Sequence, residues 1–137
     1  MTQVKKIFRP PTSSNVCEIY ELLREEGLIA FPLTQEAKNK VDSLVANITG
    51  VYFGIEPYPS PEEKAVAYLY FLIKDHPFTD GNKRTATLTF YVICRVNKLE
   101  RDRSIKMDEL AVAIEKLEEV DPHAAIALIT SALFKKG

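Results

Sequence analysis

The stretch "SPEEKAVAYLYFLIK", residues 60–74, limits the possible folds more than any other part of the chain. Ser60 is placed to cap a helix, Pro61 suits its first position, and Glu63 completes a capping box. The helix this predicts runs to about Lys74, and its middle, residues 65–73, is apolar all round. A helix with no polar face has to be enclosed. These nine residues are too few to cross a bilayer, which takes roughly 20. Other parts of the chain must therefore wrap this segment as the central helix of a domain.

Candidates for the wrapping helices are legible on both sides. Val16, Ile19, Tyr20 and Leu23 recur at helical spacing before Gly27. Val41, Leu44, Val45 and Ile48 form a second apolar face between Thr34 and Gly50. A fourth helix is predicted over about 82–98, a fifth over about 106–119 and a sixth over about 122–135, the last capped by Asp121. Pro10 and Pro11 keep residues 1–12 as an extended lead-in. The run "VYFGIEPYP", residues 51–59, has aromatics, one Gly and two Pro, and reads as a hairpin-like connection. The expectation is an all-α, compact bundle of about six helices with a small β-hairpin-like flap, forming a single domain over residues 1–137.

Composition narrows the function classes. Lys and Arg total 18 against 19 Asp and Glu, a net charge of −1, where a dedicated nucleic-acid binder needs a basic surplus. Cys17 and Cys94 form no CxxC pair and are too few for a disulfide framework, so two reduced thiols are expected. The start, "MTQVKKIFRPP", has two lysines with no apolar segment behind them and reads as no signal peptide. A soluble cytoplasmic protein, with no nucleic-acid or membrane partner, is the reading these features give.

Between the third and fourth helices lies "DHPFTDGNKRT", residues 75–85. A helix start offers unpaired N–H groups and the positive end of the macrodipole. Gly81 and Asn82 tolerate the backbone turns that gather such N–H groups into an anion nest, and Lys83 and Arg84 add charge beside it. That combination suits a polyphosphate. Asp80 would repel a bare anion but suits a divalent cation shared with phosphate oxygens. His76 carries the side chain best able to take a proton near neutrality. Together these residues describe a nucleotide-dependent transfer site acting on a hydroxyl. The same residues also admit a plain reading, with Asp80 as a helix cap, Lys83 and Arg84 as a solvated first turn, and His76 as an ordinary loop histidine.

The run "HPFTDGNKR" resembles the signature of the Fic/Doc family, H-P-F-x-[DE]-G-N-[GK]-R, at every defined position, and the likeness extends over roughly residues 58–97. The resemblance implies the Fic fold, ATP (or another nucleotide) and Mg²⁺ as cofactors, and transfer of AMP to a Ser, Thr or Tyr hydroxyl of a target protein. Position by position, it makes His76 the base, Phe78 the core-facing anchor of the loop and Asp80 the Mg²⁺ ligand. Gly81, Asn82 and the backbone at Lys83 become the anion hole, Arg84 the phosphate grip, and residues 51–57 the flap that aligns the target.

Two departures qualify the AMP reading. Lys83 stands where AMP-transferring members carry a second glycine, a feature shared with the death-on-curing toxin branch. There the nucleotide is thought to bind in reverse and the enzyme to act as a protein kinase. Thr87 stands where many AMP-transferring members have a further arginine. AMP transfer is nevertheless the reading the family at large supports. Transfer of the γ-phosphate is the alternative, followed by a catalytically silent nucleotide-binding module. The family's inhibitory pattern, [ST]-x-x-x-E-[GN], is partly matched by "SNVCEI", which makes Glu18 a candidate inhibitory glutamate, although Ile19 breaks the pattern and Ser14 also suits a plain helix cap. Without a built-in inhibitor, a separate antitoxin chain is the family's other arrangement. His123, beside Asp121 and Pro122, reads as structural.

Overall fold

The computed structural model describes residues 8–118 and 121–134; the expected lead-in over residues 1–7 and the predicted helix ends at 119 and 135 lie outside them. Six helices follow in order: α1 Ser13–Glu25, α2 Gln35–Thr49, α3 Pro61–Lys74, α4 Asn82–Asn97, α5 Met107–Lys116 and α6 Pro122–Leu133. Helix α3 is the centre. It packs on α2, α4, α5 and α6, most extensively on α4, while α1 closes the other side against α2 and α4.

Every residue of α3 from Lys64 to Tyr70 is buried, and so are Leu72 and Ile73. Full burial stabilises each large apolar side chain by about 1.5–3 kcal/mol, so this helix holds the bundle together. Lys64 is the exception in character. Its ammonium donates to the Tyr58 carbonyl and lies 3.5 Å from Glu56, which ties the segment before α3 to its first turn. Tyr58 is buried there and stacks on His123 at the start of α6, with ring centroids 4.8 Å apart.

Helix starts follow local chemistry. Ser60 Oγ accepts the Glu63 N–H at 3.0 Å, with Pro61 in the first turn. The Glu63 carboxylate accepts the Ser60 hydroxyl at 3.0 Å, so it closes the motif on the side chain of the cap. Helix α1 begins one residue before Ser14, and Thr12, not Ser14, caps it. Thr12 Oγ1 accepts the Asn15 N–H while Asn15 Oδ1 accepts the Thr12 N–H, and this reciprocal pair outcompetes a cap two residues later.

Residues 51–57 form no strand. Tyr52 and Ile55 exchange two backbone hydrogen bonds of 2.9 Å each in one isolated antiparallel bridge. Phe53 and Gly54 turn the chain between them, both with positive φ (53° and 77°). Val51, Tyr52, Phe53 and Ile55 are exposed. No described helix is long and apolar enough to cross a membrane.

Candidate functional site

The loop between α3 and α4 is tied down at each of its bends. Asp75 ends α3, its N–H donating to the Phe71 carbonyl at 2.9 Å. Burial pushes the Asp75 carboxyl above its usual range, against a smaller downward pull from His76. His76 follows with φ of +45°, a left-handed backbone that costs a non-glycine residue roughly 1–2 kcal/mol. Such a conformation persists only where its surroundings impose it. Pro77 and Phe78 are buried, and the Phe78 ring stacks on Tyr20 at 4.3 Å between centroids. Tyr20 is itself held by its hydroxyl, which donates to the Phe31 carbonyl at 2.6 Å.

Asn82 provides the brace. Its Oδ1 accepts the Phe78 N–H at 3.0 Å and its Nδ2 donates to the Phe78 carbonyl at 2.9 Å. The same Nδ2 lies 3.5 Å from His76 Nδ1. One amide side chain thus hooks the start of α4 back onto the loop and places it beside the imidazole. Asn82 was expected to serve through its backbone; its side chain has this second task, which the sequence reading missed.

Gly81 makes the turn into α4 with φ of +80°. A Cβ here would collide with the buried Ile29 side chain, reaching within 2.7 Å of Cγ1. Glycine is therefore demanded twice, by torsion and by the close approach. Gly81 also means that α4 has no side-chain cap, and its first turn holds no acidic residue. The first intrahelical bond runs from the Thr85 N–H to the Gly81 carbonyl. The N–H groups of Asn82, Lys83 and Arg84 have no acceptor among the described residues. A start of this kind holds anions well.

These groups face a cavity of about 410 Å³ lined by Leu28, His76, Thr79, Asp80, Gly81, Asn82, Lys83, Arg84 and Glu115. It brings together all the residues the motif pointed to except the buried Phe78, which lies behind the loop. Asp80 and Arg84 are exposed and form no hydrogen bond or ion pair among the described residues. Lys83 is engaged. Its Nζ lies 3.0 Å from both carboxylate oxygens of Glu115, in the last turn of α5. Glu115 was invisible to sequence reasoning, because a partner 32 positions away on a different helix leaves no local pattern. Leu28 and Ile29 shape the wall and the turn and carried no signal either.

Glu18 is not brought to this cavity. It lines the groove between α1 and α4 with Asn15, Ile19, Leu22, Val92 and Val96.

The donor set suits magnesium only in company with a ligand. No cluster of three or more His, Cys, Asp or Glu side chains that could hold a metal ion occurs among the described residues. Asp80 is one open carboxylate at the edge of the uncapped helix start. Mg²⁺ takes one or two carboxylates and completes its shell with phosphate oxygens and water. The residues fit that mode and no all-protein cage.

A family model described as Fic/DOC family matches residues 10–94. Among curated proteins, a relative called "Toxin Doc" from Mycolicibacterium smegmatis is 31% identical over 68 residues, which cover 50% of this chain and 52% of the relative. The chain thus spans about half the length of the curated relative it matches. No solved structure matches.

Proposed function

The chain belongs to the Fic/DOC family, and from that premise we propose that it transfers a phosphate-containing group from a magnesium-bound nucleotide to a hydroxyl on a target protein. The observation that carries this reading is the uncapped, acid-free first turn of α4 with its three unpaired N–H groups beside His76. In this reading the phosphates lie against the N–H groups of Asn82, Lys83 and Arg84, with Arg84 adding charge-assisted bonds. His76 takes the proton of the attacking hydroxyl as its oxygen bonds to phosphorus. The bond from that phosphorus to the bridging oxygen breaks, releasing pyrophosphate on AMP transfer or ADP on γ-phosphate transfer. The Asn82 hook and the Tyr20–Phe78 stack brace the loop that carries the imidazole, so its strained backbone needs no rearrangement at the moment of reaction. Asp80 would hold the magnesium ion, which when bound spreads the negative charge of the phosphates.

AMP transfer is the reading drawn from the family at large. Transfer of the γ-phosphate is a second reading, favoured by two observations: Lys83 in place of a glycine, and the likeness to Toxin Doc. An ammonium at that position offsets charge on a terminal phosphate. The same likeness favours a toxin whose activity a separate antitoxin chain restrains, and a cytoplasmic setting. The test is incubation with ATP labelled separately at the α- and γ-phosphates, in the presence of cell lysate. Protein labelled from the α position means AMP transfer, and protein labelled from γ alone means a kinase. Absence of both labels, with nucleotide still bound, would leave a silent binding module.

A further inference from the structure

Lys83 already has an anion. Glu115 meets its ammonium with both carboxylate oxygens at 3.0 Å, and both residues line the cavity that holds His76, Asp80 and Arg84. The carboxylate is held in that position from behind. Lys74, the last residue of α3, reaches the carbonyls of Glu115 at 3.5 Å and of Leu117, so the end of α5 is fastened to the helix from which the site loop departs. The pair therefore spans the first turn of α4 and the last turn of α5 on a fixed base.

We infer that Glu115 is a resident counter-anion: it occupies Lys83 until a polyphosphate displaces it, and so sets the affinity of the site. This rests on the nucleotide reading above. The exposures decide that the pair is exchangeable, since the side chains are 43% and 36% exposed and an ion pair so open to water is weak. A polyphosphate brings more charge and more acceptor oxygens than one carboxylate, and finds Arg84 and three N–H groups waiting beside Lys83. Once Lys83 turns to the phosphate, Glu115 is left as a like charge at the rim, which opposes binding again. Both effects have the same sign. Glu115 lowers affinity through Lys83, and a ligand with too little charge cannot complete the exchange.

The experiment is calorimetric titration of ATP with magnesium into the wild type, Glu115→Gln, Lys83→Gln and the double variant, with thermal melting to verify folding. Glu115→Gln should bind about three- to fivefold more tightly than the wild type, the upper end being what an exposed pair worth about 1 kcal/mol allows. In the Lys83→Gln background the same substitution should gain clearly less, about twofold, because the cation it masks is gone and only the repulsion at the rim remains. Raising salt should shrink the first difference. Unchanged or weaker binding by Glu115→Gln overturns the inference, and so does an equal gain in both backgrounds. Inorganic triphosphate with magnesium serves as the second probe. If neither ATP nor triphosphate binds any variant, the nucleotide reading falls and this inference with it; binding that ignores Glu115 sinks this inference alone. Should Glu115→Gln melt early, Glu115→Ala replaces it under the same criteria.

Discussion

Two helix starts lie a short distance apart in the chain and are built in opposite ways. At the start of α3, Ser60 caps the backbone, Pro61 removes an N–H that would need a partner, and Glu62 and Glu63 offset the dipole. At the start of α4, a left-handed glycine supplies no cap, no acid lies in the first turn, and Lys83 and Arg84 follow. Among the six helices, α1, α2 and α6 are also capped by side chains, and α5 carries Asp108 and Glu109 in its first turn. Only α4 has neither device among the described elements. The contrast teaches that an open helix start is no oversight of this chain, which satisfies the other starts locally. In the proposed reading it is left for the phosphates of a nucleotide.

Substitutions at the two starts should separate stability from function. The largest effect is expected beside the open start: His76→Ala should cut group transfer by roughly 10²–10⁴-fold while nucleotide affinity stays close to wild type, measured as label incorporation against calorimetry. If affinity falls equally, the imidazole belongs to the cradle and the division between base and cradle fails. Gly81→Ala should lose nucleotide binding by tenfold or more and about 1–3 kcal/mol of stability, through the forced left-handed torsion and the collision with Ile29. At the closed start, Ser60→Ala should cost about 1 kcal/mol of stability in a denaturant melt and leave transfer per folded molecule unchanged. A loss of transfer there would erase the contrast.

The smallest effect concerns two thiols outside the site cavity. Burial pushes the Cys94 thiol up to about 11, so almost no thiolate exists at neutral pH, and Cys17 is raised by burial as well. Alkylation by iodoacetamide at pH 8 should therefore be slow in the folded protein. Its rate should rise with pH as the thiolate fraction grows and should jump on unfolding. Fast labelling of Cys94 at pH 7 would mean that the bundle opens at α4.

Much of this fold was legible because its signals are local. A cap and the N–H that donates to it lie within four residues of each other, and so Ser60, Asp121 and the glycines at 27 and 50 marked their helix boundaries. Ser14 suited a cap by its hydroxyl alone, but Thr12 takes the place because of the reciprocal Asn15 bond. The run 51–59 suggested a hairpin-like connection, and a single bridge across a two-residue turn is all that forms. Within the site, "HPFTDGNKR" could be read as chemistry because its residues adjoin in the chain. Glu115 and the Ile29 contact with Gly81 could not, since they depend on how α5 and the α1–α2 connection pack.

The central claim is that the unpaired N–H groups at the start of α4 receive the phosphates. Backbone amide shifts of the ¹⁵N-labelled protein, followed as ATP and magnesium are added, test it most directly. Asn82, Lys83 and Arg84 should move most and saturate together, while the amides of Pro61's neighbours Glu62 and Glu63 at the capped start of α3 stay still. Saturable binding that leaves the three α4 amides unmoved would contradict the account.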